Sequence, residues 1–310
     1  MKPRVLVIGG TYFAGRVFTM IASGQCELTL LNRGRYSMSR YPNVTELHCD
    51  RHDAAALAAL PEADYDAVVD FCAYAPGDIE TLTAALPVSF KKYVYISTAD
   101  VYDRSAPRPW TEQTPVGTDF SIAGPDTAAY LSGKAALEAE CAAVCAKRGA
   151  DCVILRPAFL YGPYNYAPRE SWYIQTAVSG RPIPQPTDAD GRFQFIYVKD
   201  LVTAVLACLQ PGAPAGNRVY NLAAPEVVDY DSFLETLRAV ADRPIASFPV
   251  TVEQVLRDNL PLPFPLRAQD SELFDGSLAE RELGLVYTPF RDGMEKAWNA
   301  FAPVFEQLKQ

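Results

Sequence analysis

The chain has 310 residues, of which 49% are hydrophobic and 21% are charged, and its formal net charge is −9. This composition is that of a folded protein with enough mass for a large core, or for a core and a smaller lobe. The acidic charge argues against a nucleic-acid surface, because such a surface needs a basic face. The sequence contains no run of about 18 apolar residues, so we predict no membrane span.

Histidine and cysteine limit the chemistry further. His48 and His52 are the only histidines, so histidine-based triads and metal sites with three histidines are excluded. The seven cysteines contain no Cys-x-x-Cys pair and are predicted to be reduced thiols without a metal. No basic leader precedes an apolar stretch, and we therefore expect the protein in the cytoplasm.

The first residues predict a strand, a tight turn and a helix. An apolar run ends at Ile8, and Gly9, Gly10 and Gly15 follow it. Glycines let a backbone approach a pyrophosphate closely, and the free N–H groups at the start of a helix attract its charge. Tyr12 takes the middle position of the spacing Gly-x-x-Gly-x-x-Gly. The segment indicates a dinucleotide site, with a plain strand-to-helix turn as the alternative.

Strand-like and helical patterns alternate along the first half of the chain, which predicts a parallel sheet. The predicted strands are Val5–Ile8, Glu27–Leu31, Val44–Cys49, Ala67–Phe71, Tyr93–Ser97 and Cys152–Leu155. The longest helix is predicted from Ala128 to Arg148, with Gly149 as its stop signal. Further helices are predicted near Val198–Cys208, Tyr230–Ala241 and Arg291–Ala302.

Prolines and aromatic residues cluster after Pro157, a composition typical of a smaller lobe with irregular connections. We predict a Rossmann-type, doubly wound α/β domain in residues 1–160, which also receives a segment at about residues 193–222. Residues 161–310 are predicted to form most of a substrate-binding lobe.

Tyr130 and Lys134 lie four residues apart in the predicted long helix and therefore share one of its faces. A cation beside a phenol favours the phenolate, so Lys134 is expected to lower the pKa of Tyr130 from about 10 toward neutral pH. Such a pair suits proton transfer to or from a hydroxyl or a carbonyl. An ordinary solvated pair with the same spacing is the alternative.

These features belong to a longer series of motifs in a characteristic order. The series is Gly9-Gly10-Thr11-Tyr12-Phe13-Ala14-Gly15, Ile96-Ser97-Thr98-Ala99-Asp100-Val101-Tyr102, Trp110-Thr111-Glu112, Tyr130-x-x-x-Lys134, Leu155-Arg156-Pro157-Ala158-Phe159-Leu160-Tyr161-Gly162-Pro163, Gln194-Phe195-Ile196-Tyr197-Val198-Lys199-Asp200-Leu201 and Phe274-Asp275-Gly276-Ser277. It resembles the extended short-chain dehydrogenase/reductases of the NAD(P)-dependent epimerase/dehydratase family, nearly from end to end. Most known members act on nucleotide-activated sugars, so the resemblance implies a bound NAD(P), a nucleotide-sugar substrate and a homodimer.

The resemblance also implies one oxidation step with three residues. Thr98 would hydrogen-bond the reacting oxygen, Lys134 would bind the nicotinamide ribose, and Tyr130 would take the hydroxyl proton as hydride leaves the same carbon. The cofactor contacts that it implies are Gly9, Thr11, Tyr12, Phe13, Gly15, Asn32, Arg33, Asp50, Tyr130, Lys134 and Pro157.

Two of these contacts bear on the choice of cofactor. The second strand is followed by Asn32, Arg33 and Arg35, where NAD-preferring proteins usually carry an acid for the ribose 2′-hydroxyl. Arginine could pair with a 2′-phosphate instead, which favours NADP slightly and leaves NAD open. Asp50 is expected to contact the adenine, with an ordinary helix cap before a helix near Asp53 as the alternative.

The reaction after oxidation depends on Asp100. Epimerisation needs only Thr98 and Tyr130, and we predict it first. In the family's 4,6-dehydratases a glutamate at the Asp100 position removes the proton beside the new ketone, so loss of water with Asp100 as the base is the close alternative. Ala99 stands where some of those enzymes carry a further acid.

Substrate contacts are implied by weaker matches. Arg267-Ala268-Gln269-Asp270 resembles the segment by which sugar epimerases hold the diphosphate and ribose of the nucleotide. Phe193 stands where those enzymes usually place a phosphate-binding arginine, so Arg192 is the candidate replacement. Asn165 falls near a common sugar-contacting asparagine.

Two other classes of protein remain open. The combination Gly-Gly-Thr-x-Phe-x-Gly resembles the divergent branch of the family that includes chloroplast stem-loop RNA-binding proteins. The acidic charge and the intact set of Thr98, Tyr130 and Lys134 argue against RNA binding. A one-way NADPH-dependent reductase of a ketone or lactone is the other alternative.

Overall fold

The computed structural model describes residues 2–308, in which strands and helices alternate along most of the chain. The strands are β1 (Arg4–Ile8), β2 (Glu27–Asn32), β3 (Val44–His48), β4 (Ala63–Tyr65), β5 (Ala67–Asp70), β6 (Val88–Phe90), β7 (Lys92–Ile96), β8 (Asp151–Pro157), β9 (Phe159–Tyr161), β10 (Ile183–Pro186), β11 (Phe195–Tyr197), β12 (Arg218–Leu222) and β13 (Ser247–Val250). The helices are α1 (Phe13–Ala22), α2 (Ala54–Ala58), α3 (Asp78–Ala85), α4 (Pro125–Arg148), α5 (Glu170–Val178), α6 (Val198–Cys208), α7 (Tyr230–Val240), α8 (Val252–Arg257), α9 (Ser277–Leu283) and α10 (Phe290–Gln307).

The central sheet is parallel and has seven strands in the order β12-β8-β7-β5-β1-β2-β3. From β1 the chain extends the sheet through β2 and β3, and it then crosses to the other side of β1 and continues with β5. The strand order therefore reverses between β1 and β5. In sheets of this kind, ligands bind outside the carboxyl ends of the strands at the switch point. The predicted Rossmann-type α/β fold is confirmed.

Alternate residues of the strands face opposite sides of the sheet. Val5 and Val7 of β1 belong to the part of the core that includes α1 and α6, whereas Leu6 and Ile8 belong to the part that includes α3 and α4. Helices cover both faces, which explains why these strands are apolar runs without polar alternation.

Helix α4 positions the Tyr130–Lys134 pair. It begins at Pro125, ahead of the predicted start at Ala128, because proline is tolerated where the first helical N–H has no partner inside the helix. It ends at Arg148, and Gly149 caps it with φ of +64°, as predicted. The helix packs on β7 and β8.

Strand β12 was not predicted, although it lies beside β8 in the central sheet. Arg218 and Asn221 interrupt its apolar pattern. Asn221 is nevertheless buried, because its side chain hydrogen-bonds the Tyr102 hydroxyl and the Trp110 carbonyl oxygen. After β8, two-stranded parallel sheets pair β9 with β11 and β10 with β13.

Among residues 2–308, no helix has both the length and the apolar character needed to span a bilayer.

Candidate active site

A cleft of about 620 Å³ lies at the carboxyl ends of β1, β5 and β7, at the switch point of the sheet. Its volume is within the range of about 300–1,000 Å³ that is usual for small-molecule sites. The glycine turn between β1 and α1 forms one part of its wall, and Thr98, Tyr130 and Lys134 form another. The predicted site residues that line the cleft are Gly9, Thr11, Tyr12, Phe13, Gly15, Asn32, Arg33, Asp50, Thr98, Asp100, Tyr130, Lys134, Pro157 and Asn165.

The glycine turn is built for close approach of the backbone. Gly9 has φ of +83°, a conformation that other residues rarely adopt. A side-chain carbon on Gly15 would lie 2.4 Å from the carbonyl oxygen of Gly9, so the turn excludes any larger residue there. Tyr12 precedes α1 without a side-chain hydrogen bond to the helix start, which leaves the first N–H groups without that cap. An uncapped helix start behind such a turn fits the pyrophosphate of a dinucleotide.

The side chain of Tyr12, which takes the middle position of the glycine spacing, packs against other tyrosine rings at the cleft. It stacks on Tyr166 with 5.0 Å between ring centroids and lies 6.0 Å from the ring of Tyr36. All three rings are at least 41% exposed and line the cleft. They form an aromatic rim that joins the glycine turn to residues 162–169, the segment between β9 and α5.

The end of β2 offers hydrogen-bond donors to the cleft. The Asn32 side-chain oxygen accepts a hydrogen bond from the Gly34 N–H at 2.6 Å, whereas its buried Nδ2 has no hydrogen-bond partner. Arg33 and Arg35 are exposed and line the same part of the cleft. An amide donor and two guanidinium groups fit hydroxyl or phosphate oxygens of a cofactor ribose.

Asp50 lines the cleft near this end and does not cap α2, since Asp53 accepts the hydrogen bond from the Ala56 N–H. A hydrogen bond from the His52 N–H lowers the pKa of Asp50.

The neighbouring Arg51 was missed by the sequence analysis. It also lines the cleft, and its guanidinium forms two 3.1 Å hydrogen bonds with the buried Asp70.

Thr98 and Tyr130 lie close together at the end of the cleft that is opposite to Asn32 and Asp50. Thr98 follows β7, and its hydroxyl accepts a hydrogen bond from the Asp100 N–H at 3.3 Å. Burial raises the pKa of Tyr130 above its ordinary value, and the negative charge of Asp100 raises it further. The cation of Arg169 and hydrogen bonding by Thr98 lower the pKa of Tyr130. Arg169 lines the cleft, and the sequence analysis missed it because no motif includes it.

Backbone carbonyls hold the Lys134 ammonium in the cleft. Its Nζ donates hydrogen bonds of 2.9 Å to the carbonyl oxygens of Ala73 and Ile96, and it lies 5.8 Å from the centre of the Tyr130 ring. Burial lowers the pKa of Lys134 to about 8. In these side-chain positions the pKa of Tyr130 is raised, and Arg169 is a cation that opposes the rise. That Lys134 lowers the pKa of Tyr130 stays a prediction.

The expected substrate contacts are only partly in the cleft. Asn165 lines it, but its Nδ2 donates to both carboxylate oxygens of Glu170, at 3.0 and 2.9 Å, so its side chain holds the segment between β9 and α5 in place. The residues that are exposed and do not line the cleft are Arg192, Arg267 and Asp270. Phe193 is buried and stacks on Phe264 at 4.6 Å, so it serves packing. A substrate role for these three exposed residues stays a prediction.

The switch-point cleft and the glycine turn are the features of a dinucleotide-binding α/β fold. A sequence profile of the NAD dependent epimerase/dehydratase family matches residues 5–223. The chain belongs to this family, as the motif resemblance predicted.

Similarity to individual proteins extends over most of the chain. The chain is 28% identical to the chloroplast stem-loop binding protein of 41 kDa b from Arabidopsis thaliana over 246 residues, which are 74% of this chain and 61% of that relative. It is 26% identical to a dTDP-glucose 4,6-dehydratase from Streptomyces niveus over 286 residues, 78% of this chain and 82% of the relative.

A solved structure with a similar fold is the UDP-glucuronic acid 4-epimerase from Bacillus cereus in complex with UDP-glucuronic acid and NAD. Its TM-score is 0.75 at 16% identity, with 97% of this chain and 99% of that chain covered. At this identity the likeness concerns the fold. The first of the relatives above is matched over only 61% of its length.

Proposed function

We propose that the protein is a nucleotide-sugar 4-epimerase that oxidises a sugar hydroxyl with bound NAD(P) and reduces the resulting ketone in place. One observation carries the proposal: a single cleft contains the glycine turn at one end and the Thr98 and Tyr130 hydroxyl groups at the other. Family membership supports it, because the family is NAD-dependent and includes epimerases and dehydratases. The similarity to a UDP-sugar epimerase fold is consistent with it.

The cleft residues fit the cofactor. Residues 11–15 would hold the pyrophosphate, Asn32 and Arg33 the adenosine ribose, and Lys134 the nicotinamide ribose. A bound nicotinamide supplies a hydride acceptor that can later return the hydride. Lys134, whose pKa is lowered to about 8, still carries its charge for the most part at neutral pH.

Proton transfer falls to Tyr130 and Thr98. A substrate hydroxyl between them would donate its proton to the Tyr130 oxygen, while Thr98 hydrogen-bonds the same oxygen as it becomes a carbonyl. The Tyr130 phenol has a raised pKa, so the phenolate needs nearby positive charge. Arg169 supplies this charge from the segment between β9 and α5.

We further propose a preference for NADP over NAD. The unpaired Nδ2 of Asn32 is a donor, and Arg33 and Arg35 are cations beside it, so this end of the cleft suits the oxygens of a 2′-phosphate. Mass spectrometry of the small molecule released by denaturing the purified protein measures the preference. Release of NAD alone would contradict it.

The epimerase proposal is tested by NMR of UDP-, dTDP-, GDP- and CDP-sugars incubated with the protein, without added cofactor. We expect a new anomeric signal from one sugar, without uptake of deuterium from the solvent at the carbon beside the oxidised position. Turnover only with added NADPH, one equivalent per product, would instead identify a reductase. Absence of any product from nucleotide-sugars would contradict the proposal.

A second candidate, a 4,6-dehydratase, is favoured by Asp100. Asp100 lines the cleft in the turn that follows Thr98, so its carboxylate is the candidate base beside the reacting oxygen. Loss of water would introduce solvent deuterium beside the ketone, which the same NMR experiment detects. The similarity to a dTDP-glucose 4,6-dehydratase is consistent with this candidate.

A further inference from the structure

Tyr12 stands at the middle position of the glycine spacing. Its backbone is extended, with φ of −134° and ψ of 142°, a conformation that any residue adopts, so the turn between β1 and α1 does not need a glycine there. The Tyr12 ring is 50% exposed and also lines the cleft, which places it at the entrance. A glycine at this position would leave that part of the entrance without a side chain.

Tyr166 contacts Tyr12 from the segment between β9 and α5. Its ring, which is 60% exposed, stacks on the Tyr12 ring with 5.0 Å between centroids and 28° between planes. The same ring meets the edge of the Phe13 ring, with centroids 6.0 Å apart and planes at 89°. Stacked and edge-to-face pairs at such distances are favourable arrangements of aromatic rings. The Tyr166 ring therefore packs on two consecutive residues at the start of α1.

The backbone around Tyr166 is held in place by other contacts. Glu170 is buried at the start of α5 and accepts hydrogen bonds from the Gly162 N–H at 3.0 Å and from the Asn165 Nδ2. These residues lie on both sides of Tyr166 in the chain. The stack of Tyr12 on Tyr166 is thus a contact between two side chains, and replacing one ring leaves the anchors of the segment intact.

Tyr36 extends the row of rings toward the other end of the cleft. Its ring lies 6.0 Å from the Tyr12 ring with 9° between the planes, and the Arg35 guanidinium lies 5.6 Å from the Tyr36 centroid. The aromatic rim therefore runs from the loop after β2, at the proposed adenosine end, to the segment that carries Arg169, at the proposed catalytic end. The glycine turn lies between these two ends.

We propose that the stack of Tyr12 on Tyr166 closes the entrance over the pyrophosphate of the cofactor and thereby retains the cofactor between the two hydride transfers. The inference rests on the cofactor site of the proposed function and deepens it. Tyr12 and Tyr166 are positioning residues in this account, because their role is to hold the nucleotide and not to exchange a proton or a hydride.

A reaction that returns its hydride in place needs such a closure, because the ketone and the reduced nicotinamide must stay in one cleft until the hydride is returned. The attraction between a pyrophosphate and the N–H groups of the turn is weaker wherever water reaches it. Rings at the entrance exclude water from this contact, and the nucleotide leaves only after the rings separate. The stack should therefore act mainly on the rate of nucleotide release.

Release is measured on the full-length protein after nucleotide depletion. The protein is loaded with NADPH or NADH, whichever binds more tightly, and an excess of the oxidised nucleotide displaces the fluorescent one. We expect Tyr12→Ala and Tyr166→Ala each to release it about tenfold faster than wild type, whereas Tyr166→Phe, which keeps the ring, should stay within about twofold. Phe248→Ala, which removes an exposed ring on β13 away from the cleft, is the matched control.

The double variant Tyr12→Ala/Tyr166→Ala separates a stacked pair from two independent rings. Either single change removes the stack, so the double variant should release the nucleotide within about twofold of the faster single variant. Wild-type release from both single variants, a double effect equal to the product of the single effects, or release from Tyr166→Phe as fast as from Tyr166→Ala overturns the proposal. If Tyr166→Ala does not fold, Tyr12→Ala and Tyr12→Gly decide, because Tyr12 is half-exposed in a turn.

Turnover distinguishes retention of the cofactor from contact with the substrate. In the NMR assay without added cofactor, Tyr12→Ala should convert less sugar than wild type. An excess of added NAD(P) should restore its conversion to within about threefold, with the KM for the sugar unchanged. A raised KM for the sugar that added cofactor does not restore would mean that the rings bind the substrate, and it would overturn the proposal.

The inference and the proposed function can fail separately. Faster release from the ring variants, together with no conversion of any nucleotide-sugar, would contradict the epimerase and leave the closure in place. Conversion by wild type, together with unchanged release from both ring variants, would contradict the closure and leave the epimerase in place. If wild type binds neither NADH nor NADPH, both are wrong.

Discussion

The two ends of the cleft differ in how the chain builds them. The glycine-turn end is largely local, because β1, the turn and α1 follow one another within residues 4–22. The proposed catalytic end brings together Thr98, Tyr130 and Arg169, which come from three separate parts of the chain. A site built from neighbouring residues is visible in the sequence as one motif. A site built from remote segments is visible only as isolated residues, whose partners lie far away in the sequence. Substitutions should therefore separate cofactor binding from turnover.

The largest expected effect is at the proposed catalytic end. Tyr130→Phe removes only the phenolic oxygen, so turnover should fall by about 100-fold to 10,000-fold while the bound nucleotide is retained. Turnover is measured by NMR on the identified sugar, and retention by mass spectrometry of the released nucleotide. Tyr41→Phe, a tyrosine that does not line the cleft and hydrogen-bonds Arg40, is the control. Normal turnover in Tyr130→Phe would remove this residue from the mechanism.

The matching change at the cofactor end is Gly15→Ala. Its new carbon would meet the Gly9 carbonyl oxygen at 2.4 Å, so the turn must distort. We expect the bound nucleotide to be lost and the free energy of unfolding to fall by about 1–3 kcal/mol, as measured by denaturant titration. In the control Gly24→Ala, the nearest atom to the new carbon is 3.8 Å away. Full nucleotide occupancy in Gly15→Ala would contradict a pyrophosphate site at this turn.

Arg169→Gln tests whether the positive charge of Arg169 lowers the pKa of Tyr130. Arg169 lowers the pKa of the phenol, so its loss should raise that pKa. The acidic limb of the pH–rate profile, where Tyr130 must lose its proton, then moves to higher pH, and turnover at pH 7 falls about tenfold for each unit of the shift. Arg181→Gln, an exposed arginine away from the cleft, is the control. An unmoved profile would show that another group supplies the positive charge.

The smallest expected effect concerns cofactor choice. Asn32→Asp places a negative charge where we propose the 2′-phosphate of NADP, so the ratio of NADP to NAD affinity should fall by about tenfold, or about 1.4 kcal/mol. The affinities are measured by titration of nucleotide-depleted protein. The exposed Asn217→Asp should leave the ratio unchanged. An unaltered ratio in Asn32→Asp would argue that Asn32 does not contact the ribose.

Tyr130 and Lys134 show how far a motif reaches. Their spacing predicts a shared helix face, and both residues do line the cleft. The same spacing says nothing about the direction of the Lys134 ammonium, which donates to the carbonyls of Ala73 and Ile96. These acceptors lie on segments that the helix meets only in the folded protein. The pKa of Tyr130 likewise depends on burial and on Asp100 and Arg169, which no spacing along α4 encodes.

Glu272 is a residue whose position the sequence does not predict. In the sequence it is one acidic residue between the segment at Arg267 and the motif at Phe274, without a pattern that relates it to the loop after β7. Hydrogen bonds between its segment and this loop bring Glu272 close to the loop. Asn165 teaches the converse, since its position in the cleft was predicted but its side chain is committed to Glu170.

The sequence by itself determined the class of fold, the glycine turn and the helix that carries Tyr130, because apolar periodicity, glycine and proline act on neighbouring residues. Only the tertiary structure decided which charges surround the reacting oxygen and which side chains are left unpaired in the cleft. Electrostatic interactions depend on distance and burial in space, and residues such as Arg169 and Glu272 acquire both only when remote segments pack together.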